Sequence, residues 1–296
     1  MTAEAVSPAL AERVRTSAPP PKSILSKITA KHLFSSLITF LLVIGQWQFK
    51  ILEGYDTLAL ALGSCMLVEV FLSRLLRKTW PPSVLSAYIS GNSLAILVKP
   101  AAGLLWPFWL GGIFAIGSKY VLTWRRKHLW NPTNFAISAM LLLAPGSVSI
   151  LSHEWGNDLR VVAIIWGIGL LTVTRAKVLH ISLTYIVSFL AFAWIRSLIT
   201  GVPYLIEGAP ITGPMYTLFV FFMITDPPTT VSTKRGRFLV AVLIAAFEML
   251  LRLGNDYHVG LAAPFAPAPA MFSLAIVGPI AKLIDLERVA RAKRPS

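Results

Sequence analysis

Uncharged apolar stretches recur along the chain from about residue 35 almost to its end, separated by short polar loops. Ten segments follow from this pattern: about 34–50, 57–73, 83–98, 105–123, 133–150, 160–174, 179–199, 213–225, 237–253 and 268–285. Each reads as a helix with lipid as its solvent, although several fall short of the roughly 20 residues that cross a bilayer at 1.5 Å each. The third and eighth are the weakest, with Ser90-Gly91-Asn92 and Thr212-Gly213-Pro214 near their starts. Short, interrupted helices of this kind are tolerated where they are buried in a bundle or line a cavity. Residues 1–30 are polar and Pro-rich and read as a disordered cytoplasmic tail. Residues 286–296 read as a basic cytoplasmic tail.

The basic residues orient the segments. Lys and Arg of cytoplasmic loops outnumber those outside. On the ten-segment reading, 22 of the 27 Lys and Arg fall in the tails and even-numbered loops. The odd-numbered loops and adjacent helix ends hold Lys50, Lys99, Arg160, Arg196 and Arg252. That asymmetry predicts both termini inside. Glu53, Asp56, Glu154, Asp158, Glu207 and Asp256 fall on the outer side, and most tryptophans lie near helix ends, where they suit the interface.

Composition agrees. With 55% hydrophobic and 14% charged residues and a mean hydropathy of +0.69, the chain has too little charge to cover a soluble surface. The net charge of +14 is accounted for by the loops, and no zinc-finger spacing or aromatic–basic interleaving points to nucleic acid. Cys65 is the sole cysteine, which excludes an internal disulfide and a thiolate cluster.

The halves echo each other. Ser90-Gly91-Asn92 opens a short segment ending at Pro100, and Thr212-Gly213-Pro214 opens another ending at Asp226-Pro227-Pro228. A longer helix, a polar loop (Asn131–Asn134; Asn255–His258) and a last helix follow in each half. Five spans per half would invert the second copy, which gives repeats of about 34–150 and 160–285 with a functional site between them.

Three polar features stand out. Thr225–Gly236 packs a carboxylate, five hydroxyls and two cations beside a helix end, fit either for a capped turn or for holding a cation or phosphate. In Asn131-Pro132-Thr133-Asn134, Asn131 can cap a helix that starts at Pro132, while both amides can serve a flavin edge or a polar solute. Glu69 and Glu248 are the ionisable groups placed within helices. They read as an ion pathway, or as partners of Arg74 or Arg77 and of Arg252 at i,i+4. No catalytic triad, Walker loop, dinucleotide fingerprint or metal box is present, and the five histidines are scattered.

These residues carry a resemblance. The stretch Phe222–Gly260 holds Ile224-Thr225-Asp226-Pro227, Ser232-Thr233-Lys234-Arg235-Gly236, and Arg252 followed by Tyr257 and Gly260. The first half holds Gly91-Asn92-Ser93-Leu94 with Pro100, Gly117-Ser118-Lys119, and Asn131-Pro132-Thr133-Asn134-Phe135-Ala136. Over about residues 35–285 this resembles the NqrB/RnfD family of membrane subunits, shared by the sodium-pumping NADH:quinone oxidoreductase and the Rnf electron-transport complex. The resemblance implies an all-α polytopic membrane protein of about ten helices in two inverted five-helix repeats, similar to urea and ammonium channels. It also implies electron transfer through flavin coupled to ion movement. By position the flavin and ion environment falls on Asn92, Asn131, Asn134, Thr225, Asp226 and Thr230.

One departure matters. Relatives of this kind carry FMN on a threonine of a Ser-Gly-Ala-Thr-like motif in the outer loop between helices five and six, and here Pro145–Asn157 holds no threonine. Covalent FMN is therefore not expected, and a non-covalent flavin, FMN or riboflavin, takes its place in the reading. Quinone, other redox membrane subunits and a soluble acidic redox protein are the partners implied, beside the bilayer itself. A non-redox solute channel or transporter in the same fold is the alternative.

Overall fold

A computed structural model describes residues 30–101, 103–150 and 159–292. It is mainly helical: α1 (Ala30–Phe49), α2 (Tyr55–Arg77), α3 (Leu85–Leu97), α4 (Trp106–Val121), α5 (Pro132–Leu143), α6 (Leu159–Arg175), α7 (Leu179–Thr200), short α8 (Tyr204–Gly208), α9 (Pro214–Leu218), α10 (Lys234–Asp256) and α11 (Pro269–Ala292). Each of the ten apolar segments overlaps one of these helices. Among the described residues α2, α7, α10 and α11 are long and apolar enough to cross a membrane. The pair Tyr204–Thr212 and Pro214–Met223, bent by 59°, makes a fifth if taken as one broken span. The predicted N-terminal tail and most of the loop ending at Asn157, with Glu154 and Asp158, lie outside the described residues.

The packing has the polarity expected of a lipid-solvated bundle. Helix α2 exposes Leu67 and Phe71 while it buries Ser64, Glu69 and Ser73, and α7 exposes Val187 and Leu198 while it buries Ser182. In water that arrangement would be inside-out. In lipid it puts the greasy side chains in their solvent and pairs the polar ones within the protein.

Small residues bring the helices of the first half together. Ala61, Ser64 and Cys65 line one face of α2, against which Gly91 of α3 and Gly112 of α4 pack. Ser64 Oγ bridges the contact by donating to the carbonyl of Ala61 or of Phe108, each 3.2 Å away. The main pairings in this half are α2 with α3, α2 with α4, α4 with α5, and α1 with α3. In the second half α7 pairs with α10, α10 with α11, and α6 with α9. The main helix contacts between the halves are α1 with α6 and α5 with α11.

Two segment ends differ from the apolar reading. The stretch 133–150 is helical only to Leu143, because Pro145-Gly146 ends the helix. The chain then extends, and β4 (Val148–Ile150) pairs antiparallel with β1 (Val98–Pro100), which follows α3. At the other extreme, α11 runs on to Ala292, so residues 286–292 of the basic C-terminal stretch are helical.

Gly91 decides whether the α2–α3 seam closes, since a Cβ there would lie 2.9 Å from the Ala61 carbonyl oxygen, a backbone atom that cannot swing away. Gly91→Ala is expected to lower stability by about 1–3 kcal/mol, measured as an earlier thermal transition in detergent. Gly117→Ala, which meets nothing within 4 Å, should leave the transition in place.

Candidate functional site

A cavity of about 570 Å³ opens between α1, α3, the start of α5, the end of α6 and the stretch that follows α9. One wall is a helical stripe of α3, with Ser86, Ser90 and Ser93 leading to Leu97. At 1.5 Å per residue that stripe is about 15 Å deep. The opposite wall is α9 and its continuation Phe219–Met223, a π-helical turn closed by Ile224 N donating to Phe219 O at 3.1 Å. Such wide turns recur at functional sites because they shift the side chains that follow them. Here the turn swings Phe221, Phe222 and Thr225 onto the wall, ahead of Asp226-Pro227-Pro228. Gly169 of α6 makes room for Phe221, whose ring meets Trp166 edge to face at 5.3 Å.

The mouth is held from α11. Pro279 has no N–H to give the Ala275 carbonyl. Trp130 Nε1 donates to that carbonyl at 2.8 Å instead, which fixes the residue before Asn131. Asn131 caps α5 by accepting from Asn134 N at 3.0 Å, and it lines the cavity. Three side chains of α11 hold the flanking loops. Lys282 donates to Thr230 O at 2.6 Å, and Asp285 accepts from Ser232 N and Oγ at 2.9 and 2.7 Å. Glu287 accepts from Trp124 Nε1 at 2.6 Å and from Arg125 Nε at 3.0 Å. Hydrogen bonding to Glu287 raises the Arg125 pKa above its ordinary value. Thr233 caps α10 by accepting from Gly236 N at 3.1 Å, so the Thr225–Gly236 stretch is a pinned, capped turn.

Of the six residues expected around a cofactor, Asn131, Thr225 and Asp226 line the cavity. Thr230 lines a small neighbouring pocket that shares Asn131. Asn92 turns back to its own helix, Nδ2 donating to Tyr88 O at 3.1 Å. Fully buried Asn134 faces α11, Nδ2 donating to Met271 O at 3.0 Å, while its Oδ1 has no partner among the described residues. Ser90, Ser93, Thr133 and Arg175 also line the cavity. The spacing of the serines at i, i+4 and i+7 from Ser86 was the signal that could have found them.

Similarity to known proteins bears on the same stretch. The sequence model of the NQR2, RnfD, RnfE family matches residues 151–266. The D subunit of the ion-translocating oxidoreductase complex of Erwinia tasmaniensis is 33% identical over 123 residues, 40% of this chain and 32% of that protein. Over that stretch the chain is similar to the NQR2, RnfD, RnfE family. The match spans about a third of the relative's length. The family segment holds Thr225, Asp226, Thr230 and Glu248, whereas Asn92, Asn131, Asn134 and Glu69 precede it.

Neither carboxylate lines the cavity. Glu69 of α2 is bound from α4, by Lys119 Nζ at 2.5 Å and Tyr120 Oη at 2.7 Å, rather than by Arg74 or Arg77. Lys119 also reaches Ser86 Oγ at 3.3 Å, so the pair touches the cavity wall through one serine. In the family segment Glu248 is fully buried and accepts from Tyr185, Tyr216 and Arg252, the last at 3.0 Å on the i,i+4 spacing. Arg252 donates to Tyr216 as well. Nearer the helix ends Arg196 bonds Glu207 and, at 2.9 Å, Asp256. Sequence alone gave Arg252 but not the tyrosines, because they come from α7 and α9, far along the chain.

Removing one member of a buried ion pair strands the other. Glu248→Ala should cost about 3–5 kcal/mol, and Tyr185→Phe, which deletes one bond to a charged group, about 1.5–3 kcal/mol. Thermal unfolding in detergent ranks the two. Equal transitions for wild type and Glu248→Ala would contradict the pairing.

Proposed function

We propose that this chain is a membrane subunit of an Rnf/Nqr-like electron-transport system, relaying electrons through a non-covalently held flavin and coupled to ion movement. The observation that carries the reading is the cavity, which collects Asn131, Thr225 and Asp226 where the two halves meet. The family match over residues 151–266 and the relative's name, which places that protein in an ion-translocating oxidoreductase complex, support it.

The ten helices are taken as two inverted five-helix repeats in a bacterial inner membrane, with both termini inside. The corresponding pairings in the halves, and the contact of first helix with first and fifth with fifth, support that arrangement. Glu69 and Glu248 take similar places in it. Glu69 is tied to a tyrosine and a cation across the α2–α4 contact, and Glu248 to a tyrosine across the α7–α10 contact and to a cation on its own helix. As buried carboxylates they are the candidates for the ion pathway.

The residues present fit a flavin. The volume lies in the range of small-molecule sites, and apolar and aromatic walls with a few polar groups are what such a ligand requires. Phe34, Phe221 and Phe222 offer aromatic surface to a planar ring and the Asn131 amide can donate to its polar edge, while the hydroxyls of Ser90, Ser93 and Thr225, each donating to a carbonyl four residues back, can accept from it. Bound flavin would supply one- and two-electron transfer, and the protein would set its position and field. The Asn131 amide together with Arg175 favours extra negative charge on whatever the cavity encloses. Quinone and a neighbouring redox subunit are the proposed exchange partners.

The α3 stripe of serines also suits a small polar solute, which keeps a non-redox channel as the second reading. A visible spectrum of the detergent-purified protein separates them. The flavin reading expects an absorption band that bleaches with dithionite, and in Asn131→Leu and Thr225→Val about tenfold weaker flavin retention for each 1.4 kcal/mol of bonding lost. A colourless folded protein overturns it.

Topology is tested separately. Cys65 is fully buried and silent to impermeant maleimide, so Lys127→Cys and Val259→Cys should each label from one side only, and from opposite sides. Labelling of both from the same side would end the arrangement.

A further inference from the structure

Arg125 and Arg126 form the two-residue turn between β2 (Thr123–Trp124) and β3 (Lys127–His128), with Thr123 opposite His128 and Trp124 opposite Lys127. Both arginines have positive φ, 49° and 63°. Tight hairpins need this conformation because it matches the twist of the strands, and Asn-Gly is the pair that adopts it readily. Side chains other than glycine hold it at a cost. Two arginines in succession are therefore a costly choice for the turn itself.

Glu287 accounts for one of them. Its carboxylate takes Arg125 Nε and Nη2 at 3.0 and 3.2 Å and fixes the hairpin to α11. Arg126 is different: it is exposed and makes no hydrogen bond or ion pair among the described residues. Beside it Lys127 is exposed, and the next residues, His128 and Asn131, line the cavity mouth. Arg175, Lys234 and Arg235 are exposed on the surrounding ends and loops. The carboxylates of this face are engaged, Glu287 by the hairpin, Asp285 by Ser232 and Asp226 by Thr229 at 3.1 Å. What faces outward is positive charge.

We propose that the 123–128 hairpin is a docking element for a soluble protein with an acidic surface, seated over the mouth of the cavity. An anionic lipid surface attracts cations whatever backbone carries them, so it gives no reason to hold Arg126 in a costly conformation on a pinned hairpin. A protein surface of fixed shape does, because a preorganised contact loses less freedom on binding. The inference deepens the electron-transport reading and rests on it for the partner's purpose, but the docking itself needs no flavin.

The test uses the full chain in phosphatidylcholine nanodiscs and a fluorescent poly-L-glutamate peptide as the acidic probe, read by anisotropy at low salt. Saturable binding that weakens with salt is expected. Arg126→Gly should weaken it about threefold while raising Tm by about 2 °C, since glycine suits the turn better. Arg126→Lys keeps charge and strain and should bind as wild type does. A merely structural Arg126 would give the opposite result for glycine, with equal or better behaviour in both measurements. The proposal is overturned if the peptide does not bind, if Arg126→Gly binds it unchanged, or if Arg291→Gln, an equal loss of charge on α11, weakens it as much. A difference between wild type and Arg126→Gly that appears only with phosphatidylglycerol vesicles makes this face a lipid contact and also overturns it. Because anisotropy follows the peptide, a colourless protein would end the flavin reading and leave this result standing.

Discussion

The constraint on which the structure depends is that a polar group in lipid must find its partner inside the protein. Glu248 shows it most fully. Its two oxygens take two tyrosine hydroxyls and a guanidinium, and the donors come from α7, α9 and α10 itself. A single carboxylate thus ties three helices together. Glu69 does the same for α2 and α4 with Lys119 and Tyr120. Buried serines follow the same rule locally, as when Ser90 and Ser273 return their hydroxyls to carbonyls four residues back. Dispersion between closely packed small residues then supplies what hydrophobic burial supplies in water.

The same constraint explains where the cavity can be. Each interruption of a helix frees backbone groups, and these are tolerated only where something else takes them or where a cavity is lined. The chain uses three such breaks around one space. The π-turn at Phe219–Met223 and the prolines at 227 and 228 end one wall, with Thr229 N and Thr230 N returned to Asp226 O. Pro279 opens a carbonyl that Trp130 closes. The break after α3 is closed by the Val98–Pro100 ladder with Val148–Ile150. The first two breaks gather polar backbone and side chains at the mouth, and the third closes the chain beyond Leu97 at the far end of the α3 stripe.

That logic sets what could be read from the sequence. Helix positions were legible because apolar run length and charged loops are one-dimensional signals, and Asn131 as a cap followed from its place before Pro132. The end of α5 was not, because Pro145-Gly146 lies within a run that carries no charge up to Ser152. Thr225 and Asp226 stood out as a dense polar cluster and do line the cavity, whereas Asn92 and Asn134 looked equivalent but turn away from it, the first to its own helix and the second to α11. An amide's identity carries no direction; the rotation of its helix does, and that is set by neighbours such as α11. Lys282, Asp285 and Glu287 were invisible for the same reason. In sequence they are charges near a terminus, and in space they hold the loops that frame the mouth.

The basic residues do more than orient the chain. Among the described residues every non-glycine position with positive φ is basic: Lys50, Lys78, Arg125, Arg126, Lys177 and His258. Four of these sit just past helix ends, where glycine usually takes the left-handed conformation. Lys177 ends α6 with Lys177 N donating to Thr174 O and Val178 N to Val173 O, and His258 ends α10 in the same way through Asn255 O and Gly254 O. A cation there lies beside the last carbonyls and the negative end of the helix, which offsets part of the backbone cost that glycine would avoid. Arg125 and Arg126 have no helix end to serve. Glu287 engages the first, and the second is left facing outward beside the cavity.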